Sequence, residues 1–247
     1  MKFKLLTGAV ALALSGQVLA ANVIQNGGFE ADGHFVQSPD AISAWQVAED
    51  GIFGGVMVDN SLVSPVSGYA TVGAASGAHY ALIDLLAPSR ASLSQTFTLG
   101  AGAVQSATLS FDTFVNYATI GAENAFSDAA QGLSLDVDNV QLRVDLLKAG
   151  ADAFSTQAVD LLRSFAVSPA LVAGPNPYQH YEFSLADLGL QAGQSYTLRF
   201  AGVNTLGAMQ VGVDNVALNV TAVPEPESFA LALVGVGLLL GVKARRR

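Results

Sequence analysis

Ser92-Leu93-Ser94-Gln95-Thr96-Phe97-Thr98-Leu99 decides the fold class. In an extended chain Leu93, Phe97 and Leu99 fall on one side, with Gln95 as the polar exception, and Ser92, Ser94, Thr96 and Thr98 fall on the other. Alternation with a period of two means one packed face and one wet face, the pattern of an antiparallel sheet. Residues 107–115 repeat it, with Leu109, Phe111 and Val115 against Ser110, Asp112 and Phe114. So do Tyr196, Leu198 and Phe200 against Thr197 and Arg199. Shorter strand candidates lie at 44–48, 56–59, 79–83, 178–185 and 211–220, separated by Gly, Pro, Asn and Asp. Such a set predicts an all-β domain, a two-sheet β-sandwich or jelly roll. Residues 155–165 suit a short helix as well as a strand, and 117–132, rich in Ala, Ser, Asn and Asp, read as a long loop.

One internal echo stands out. Val137-Asp138-Asn139-Val140 and Val213-Asp214-Asn215-Val216 both flip the apolar phase. Leu133, Leu135 and Val137 are odd where Val140, Leu142 and Val144 are even; Val211 and Val213 are odd where Val216, Leu218 and Val220 are even. One extra residue in a strand does this, so a β-bulge is expected at each Asp-Asn.

The two ends carry address signals. Lys2 and Lys4 precede an apolar run from Leu5 to Leu14, and Val18-Leu19-Ala20 supplies small residues for a signal peptidase. Residues 1–20 therefore read as a signal peptide, with cleavage after Ala21 as the near alternative. At the other end Pro224-Glu225-Pro226 precedes an uncharged apolar run from Ser228 to Val242 and a basic end, Lys243, Arg245, Arg246 and Arg247. Fifteen residues fall short of the roughly 20 of a relaxed spanning helix. A transient transmembrane helix, held by its cytoplasmic arginines, is the expectation.

Between these ends, residues 21–223 keep five basic and 18 acidic side chains, a formal charge of −13. That field repels phosphate backbones and excludes nucleic-acid binding. The chain has no cysteine, so the fold rests on its core or on a metal.

The ending at 224–247 closely resembles the PEP-CTERM sorting signal of Gram-negative bacteria, in which an exosortase recognises Pro224, Glu225 and Pro226 and removes the tail. This resemblance implies an exported protein, held transiently at the inner membrane and then found on the cell envelope surface or outside it, in company with exopolysaccharide production. The body has its own resemblance. Asn26-Gly27-Gly28-Phe29-Glu30, then Trp45, Gly77-Ala78-His79-Tyr80-Ala81-Leu82, Leu93-Ser94-Gln95-Thr96-Phe97 and Val213-Asp214-Asn215-Val216-Ala217-Leu218 resemble, in that order, the galactose-binding-like jelly roll of many carbohydrate-binding modules. That fold places the first and last strands side by side and implies a buried Trp45. In many members a structural calcium lies between those strands, and the matching carboxylates here are Glu30 and Asp214. Calcium takes six to eight oxygens, so carbonyls and water are needed as well; Asp32 is near in sequence but matches no family ligand. The alternative is that Glu30 and Asp214 cap turns or bond backbone amides.

Sugar binding calls for exposed aromatic faces. Tyr178 and Tyr181, beside His180 and after Pro175-Asn176-Pro177, form the one local cluster with that look. Catalysis finds no foothold. His34, His79 and His180 lack metal-ligand spacing, and neither Gly-x-Ser-x-Gly nor His-Glu-x-x-His occurs. A non-catalytic surface or matrix protein leads; a carbohydrate-binding module holding an extracellular polysaccharide is the first alternative, and a secreted glycoside hydrolase or lyase is the third class.

Overall fold

Most of the alternating stretches become strand. The structure, a computed structural model, describes residues 20–32, 36–37, 42–118, 129–167 and 174–223. Among them are ten strands: β1 Ala20–Asn22, β2 Val36–Gln37, β3 Gln46–Asp59, β4 Tyr80–Thr98, β5 Ala103–Ala118, β6 Val140–Lys148, β7 Leu161–Phe165, β8 Gln179–Ser184, β9 Ser195–Asn204 and β10 Ala208–Val223. Among the described residues helix is limited to three single-turn 3-10 segments, and no described helix is long and apolar enough to cross a membrane. The signal-peptide run, Pro224-Glu225-Pro226 and the apolar tail lie outside the described residues.

Every strand pairing is antiparallel, and two layers arise because β4 changes partner half-way. Its first half, Ala81 to Leu86, pairs with β10; its second half, Ser89 to Thr98, pairs with β9. The first layer runs β3–β4–β10–β5–β8, with β1 replacing β4 beside the end of β10. The second runs β3–β4–β9–β6–β7. The sequence splits β4 at Pro88, yet the strand continues. Ala87 and Pro88 fall in the gap between ladders, where a missing N–H leaves no bond unmade.

Aromatic rings join the layers. Phe111 on β5 meets Phe200 on β9 edge-on at 5.1 Å between centroids, and Phe165 on β7 meets Phe183 on β8 at 4.9 Å. Trp45 is buried between Phe29 and Phe200, and its Nε1 donates to the Asn26 carbonyl. The polar exception of the opening stretch has its own use. Gln95 accepts the Gln25 N–H and donates to the Gln25 carbonyl, each at 2.8 Å, which fixes the first segment to β4. Burying that amide is tolerable because both its polar ends are bonded.

The echo divides. Along β10 the register slips between Asp214 and Ala217, Asn215 takes φ +52°, and Val211, Val213, Val216, Leu218 and Val220 share one core cluster. This is the expected bulge. The first copy is corrected: β6 starts only at Val140, Val137 is 45% exposed, and Leu133 packs in a separate cluster with Ala201 and Val203. Asn139 serves the turn instead, donating from Nδ2 to the Gly132 and Ser134 carbonyls. Residues 155–165 resolve into a turn followed by β7. Arg199, expected on a wet face, is fully buried against Asp145, and its Nη1 donates to the Ala153 and Ser155 carbonyls. The segment after β6 thus roofs that face, a tertiary fact no alternation encodes.

Candidate functional site

Residues directly opposed in an antiparallel ladder share a face. On the outer face of the first layer this builds rows across β3, β4, β10 and β5. The outermost row is apolar: Phe53 opposes Leu86, Leu86 opposes Ala208, and Ala208 opposes Ala118. The next is polar: Asp84 opposes Gln210, and Gln210 opposes Asn116. Behind it Met57, Leu82 and Phe114 form a small apolar cluster with Tyr80. Gly212 sits opposite Phe114, and a Cβ there would lie 2.0 Å from its ring, so only glycine fits.

The segment 60–79 lies over the inner rows. Ser67 donates to Asp84 Oδ2 at 2.6 Å, Asn116 Nδ2 donates to the Ala70 carbonyl, and Tyr80 donates to Thr71 Oγ1. Asn116 also donates to Gln210 Oε1, which ties the polar row into one network. The outermost row is partly open: Leu86 and Ala118 are half-buried, and Ala208 is buried. Phe53 is 62% exposed and Tyr69 48% exposed, and a cavity of about 160 Å³ lies among Tyr69, Ala70, Asn116, Ala118, Ala208 and Gln210. At the other end of the row a second hollow of about 260 Å³ is bordered by Phe53, Glu49, Asp50 and Arg90. There Arg90 donates from Nε and Nη2 to Asp50 Oδ2, at 3.0 and 2.7 Å.

Neither Phe53 nor Tyr69 stands out in the sequence. A readable signal did exist in Asp84, Asn116 and Gln210, single polar residues set inside apolar runs on three separate strands. Tyr178 and Tyr181 are not brought together. Tyr178 packs edge-on to Phe114 on the outer side and donates to the Gly73 carbonyl, and burial raises its pKa. Tyr181 stacks on Phe111 at the main core. They form no common platform: Tyr178, just before β8, packs against the outer cluster, and Tyr181 on β8 packs against the main core.

Glu30 and Asp214 do converge, on the loop that ends the covering segment. Asp214 is fully buried; its Oδ2 accepts the Ala75 and Ser76 N–H groups at 2.9 and 3.0 Å, and its Oδ1 accepts the Asn215 N–H. Burial raises its pKa against the pull of those amides. Glu30 Oε1 accepts the Ala78 and His79 N–H groups, and Oε2 lies 2.9 Å from His79 Nδ1. The His79 ring bond is the chief reason its pKa is lowered. Donor chemistry decides how far calcium fits here. A cation needs oxygens around it, whereas N–H groups face both carboxylates. Asp32 is likewise bonded to Ser43, and no cluster of three or more His, Asp or Glu side chains occurs among the described residues. As placed, the pair fits the backbone-amide alternative and not a calcium shell.

A surface chain of polar groups runs beside it. His180 Nδ1 lies 2.7 Å from Asp112 Oδ1, Asn215 Nδ2 donates to Asp112 Oδ2, and Ser76 donates to Asn215 Oδ1. The serine hydroxyl faces an amide and not an imidazole, so no nucleophile–base pair is formed.

The tail decides what is recognised. Residues 222–247 match the family described as PEP-CTERM protein-sorting motif. The chain ends in a PEP-CTERM sorting motif. It marks an exported protein sorted to the cell envelope. No curated protein matches the sequence. Among solved structures, the chain is similar to TmCBM61 in complex with β-1,4-galactotriose, at 18% identity and a TM-score of 0.46, covering 80% of this chain and 97% of that one. A Stig cyclase, Fisc from Fischerella sp. TAU, is 19% identical with a TM-score of 0.48, covering 83% of this chain and 100% of the other. The CBM22-1 xylan-binding domain of Xyn10C from Paenibacillus barcinonensis is 10% identical, with a TM-score of 0.41 and coverages of 84% and 99%.

Proposed function

We propose that this PEP-CTERM protein is a non-catalytic component of the cell envelope or extracellular matrix, processed by an exosortase-type enzyme, whose sandwich binds an extracellular polysaccharide along the Phe53–Leu86–Ala208–Ala118 rim. The supporting observation is that row itself. It runs across three strand spacings, about 14 Å, and has an exposed aromatic side chain near each end. Sugar rings offer apolar faces edged with hydroxyls. Phe53 and Tyr69 suit the faces, and the Asp50–Arg90 pair beside Phe53 suits the hydroxyls. The amides of Asn116 and Gln210 are already bonded within the protein, so they hold the rim in shape and leave direct contacts to the aromatics and the ion pair.

A glycan-array screen of residues 21–223, with and without calcium, tests this reading. Saturable binding that survives moderate salt is expected, with Phe53→Ala and Tyr69→Ala each weakening it about five- to tenfold, the loss of one aromatic contact. Unchanged affinity in both variants, or no glycan bound at all, would overturn it.

A further inference from the structure

The two chain ends of the body leave from one place. Ala20 is the direct partner of Thr221 across the β1–β10 ladder, and Val223, the last residue of β10, opposes Ala103 at the start of β5. The point expected for signal-peptide removal and Val223, the residue before the Pro-Glu-Pro element, therefore lie near one another at one pole. The aromatic rim lies at the other: Ala208 and Val223 are the two ends of the same 16-residue strand, up to about 50 Å of chain.

We infer that, until its tail is processed, the protein stands with the chain-end pole pressed against the membrane headgroups and the rim held farthest from them. This rests on the reading that the apolar run from Ser228 to Val242 enters the bilayer. Only Pro224, Glu225, Pro226 and Glu227 separate that run from β10. Four residues reach at most about 14 Å, and the headgroup layer takes roughly 5–8 Å of that. What remains is close to one Debye length, about 8 Å at physiological salt, so charges at this pole are felt by the lipids with little screening.

The distribution of charge agrees with such an approach. The turns at the pole are 99–103, 148–150 and 185–195, and the charged residues on and beside them are Lys148, Asp152, Asp160, Arg163 and Asp187, two basic and three acidic. Arg163 and Asp187 are paired at 3.0 Å. The body nevertheless carries −13. Three of its 18 acidic side chains stand at these turns, while Glu49, Asp50, Asp136 and Asp138 lie at the opposite end of the ladders. A chain-end pole with the body's average charge would be strongly repelled by an anionic leaflet; one close to neutral is repelled far less.

The absence of native cysteine makes the arrangement directly measurable. Full-length protein with one introduced cysteine, Ala101→Cys or Gln194→Cys at the chain-end pole or Val137→Cys at the far pole, is labelled with a fluorophore. It is then reconstituted in phosphatidylethanolamine–phosphatidylglycerol vesicles that carry a headgroup nitroxide quencher. Quenching several-fold stronger at positions 101 and 194 than at 137 is expected, and a long Gly/Ser insert after Val223 should remove the difference. The pair Ala101→Glu and Gln194→Glu should weaken quenching at a third chain-end position, Ala149→Cys, in anionic vesicles but not in zwitterionic ones. Protein that floats with the vesicles yet is quenched equally at both poles overturns the orientation alone. Protein that does not float overturns the membrane reading of the tail and the orientation with it.

Discussion

Asp214 and Glu30 grip the two ends of one short loop. Asp214 takes the N–H groups of Ala75 and Ser76, and Glu30 takes those of Ala78 and His79. The first segment of the body and its last strand thus meet on a loop from elsewhere in the chain. That loop ends the segment covering the inner rows of the outer face, so the clamp sets the depth of the cover and with it how much of the apolar rim stays open.

The clamp predicts a calcium-independent stability. Asp214→Ala removes a buried carboxylate that satisfies three amides, and the loss should be about 2–3 kcal/mol, as for hydrogen bonds to charged groups. That corresponds to roughly 4–12 °C in melting temperature for a domain of this size. Calorimetry of wild type and variant, each in calcium and in chelator, should give the same difference in both media. A wild-type melting temperature that rises with calcium, with the rise lost in the variant, would restore the metal site.

The two carboxylates also predict opposite responses to pH. Glu30 has its pKa lowered from 4.5 by His79, so its contribution is complete above the unfolded value and is lost as pH falls through the lower folded value. The stability gap between wild type and Glu30→Gln should therefore close on acidification. Asp214 has its pKa raised from 3.8 by burial. Its contribution is complete below 3.8 and declines as pH rises through the higher folded value. The gap between wild type and Asp214→Asn should accordingly be larger in acid than at neutrality. Urea midpoints across the acid range read both gaps, and parallel slopes for the two variants would contradict the assignment of causes.

How much of this was legible beforehand follows from what alternation can encode. It records which side of a strand is packed, so the inward faces of β4, β5, β9 and β10 were readable, and so was the bulge at Asn215, since a phase flip within a paired strand has few other causes. It does not record partners. Residues 79–83 and 92–99 therefore read as two separate strands, and the flip at Asp138-Asn139 reads as a second bulge although it falls in a turn before β6. The site was harder still. Glu30 and Asp214, expected to share a calcium, each bond N–H groups of a third segment, the 75–79 loop. Phe53 and Tyr69 acquire their role only from strand register and from where the covering segment stops, neither of which is local. Tyr178 and Tyr181 read as a cluster because they are close in sequence, while the chain packs them on opposite faces of the first layer.

Gly212 tests the packing of the outer face. Its Cβ would enter the ring of Phe114, so Gly212→Ala forces that ring, and Tyr178 stacked edge-on to it, to shift. Overpacking of this kind costs about 1–3 kcal/mol. Phe114→Leu alone should also destabilise, but the double variant should recover part of the Gly212→Ala loss. A double-mutant cycle by urea denaturation measures the coupling, and strict additivity would show that the two positions do not share space.

The last prediction concerns the tail. Pro224 follows directly on the last paired residue of β10, and β1 and β5 hold that strand in place from both sides near its end. Replacing Pro224, Glu225 and Pro226 with alanine leaves the signal peptide, the sandwich and the apolar run untouched, so export and folding should be unchanged. The processing enzyme, however, loses the element it is expected to recognise, and the protein should remain full-length at its C-terminus and attached to the membrane fraction. Intact-mass measurement of envelope and extracellular fractions separates the outcomes. A variant with the same mature C-terminus as wild type would show that the apolar run and its basic end direct processing without the Pro-Glu-Pro element.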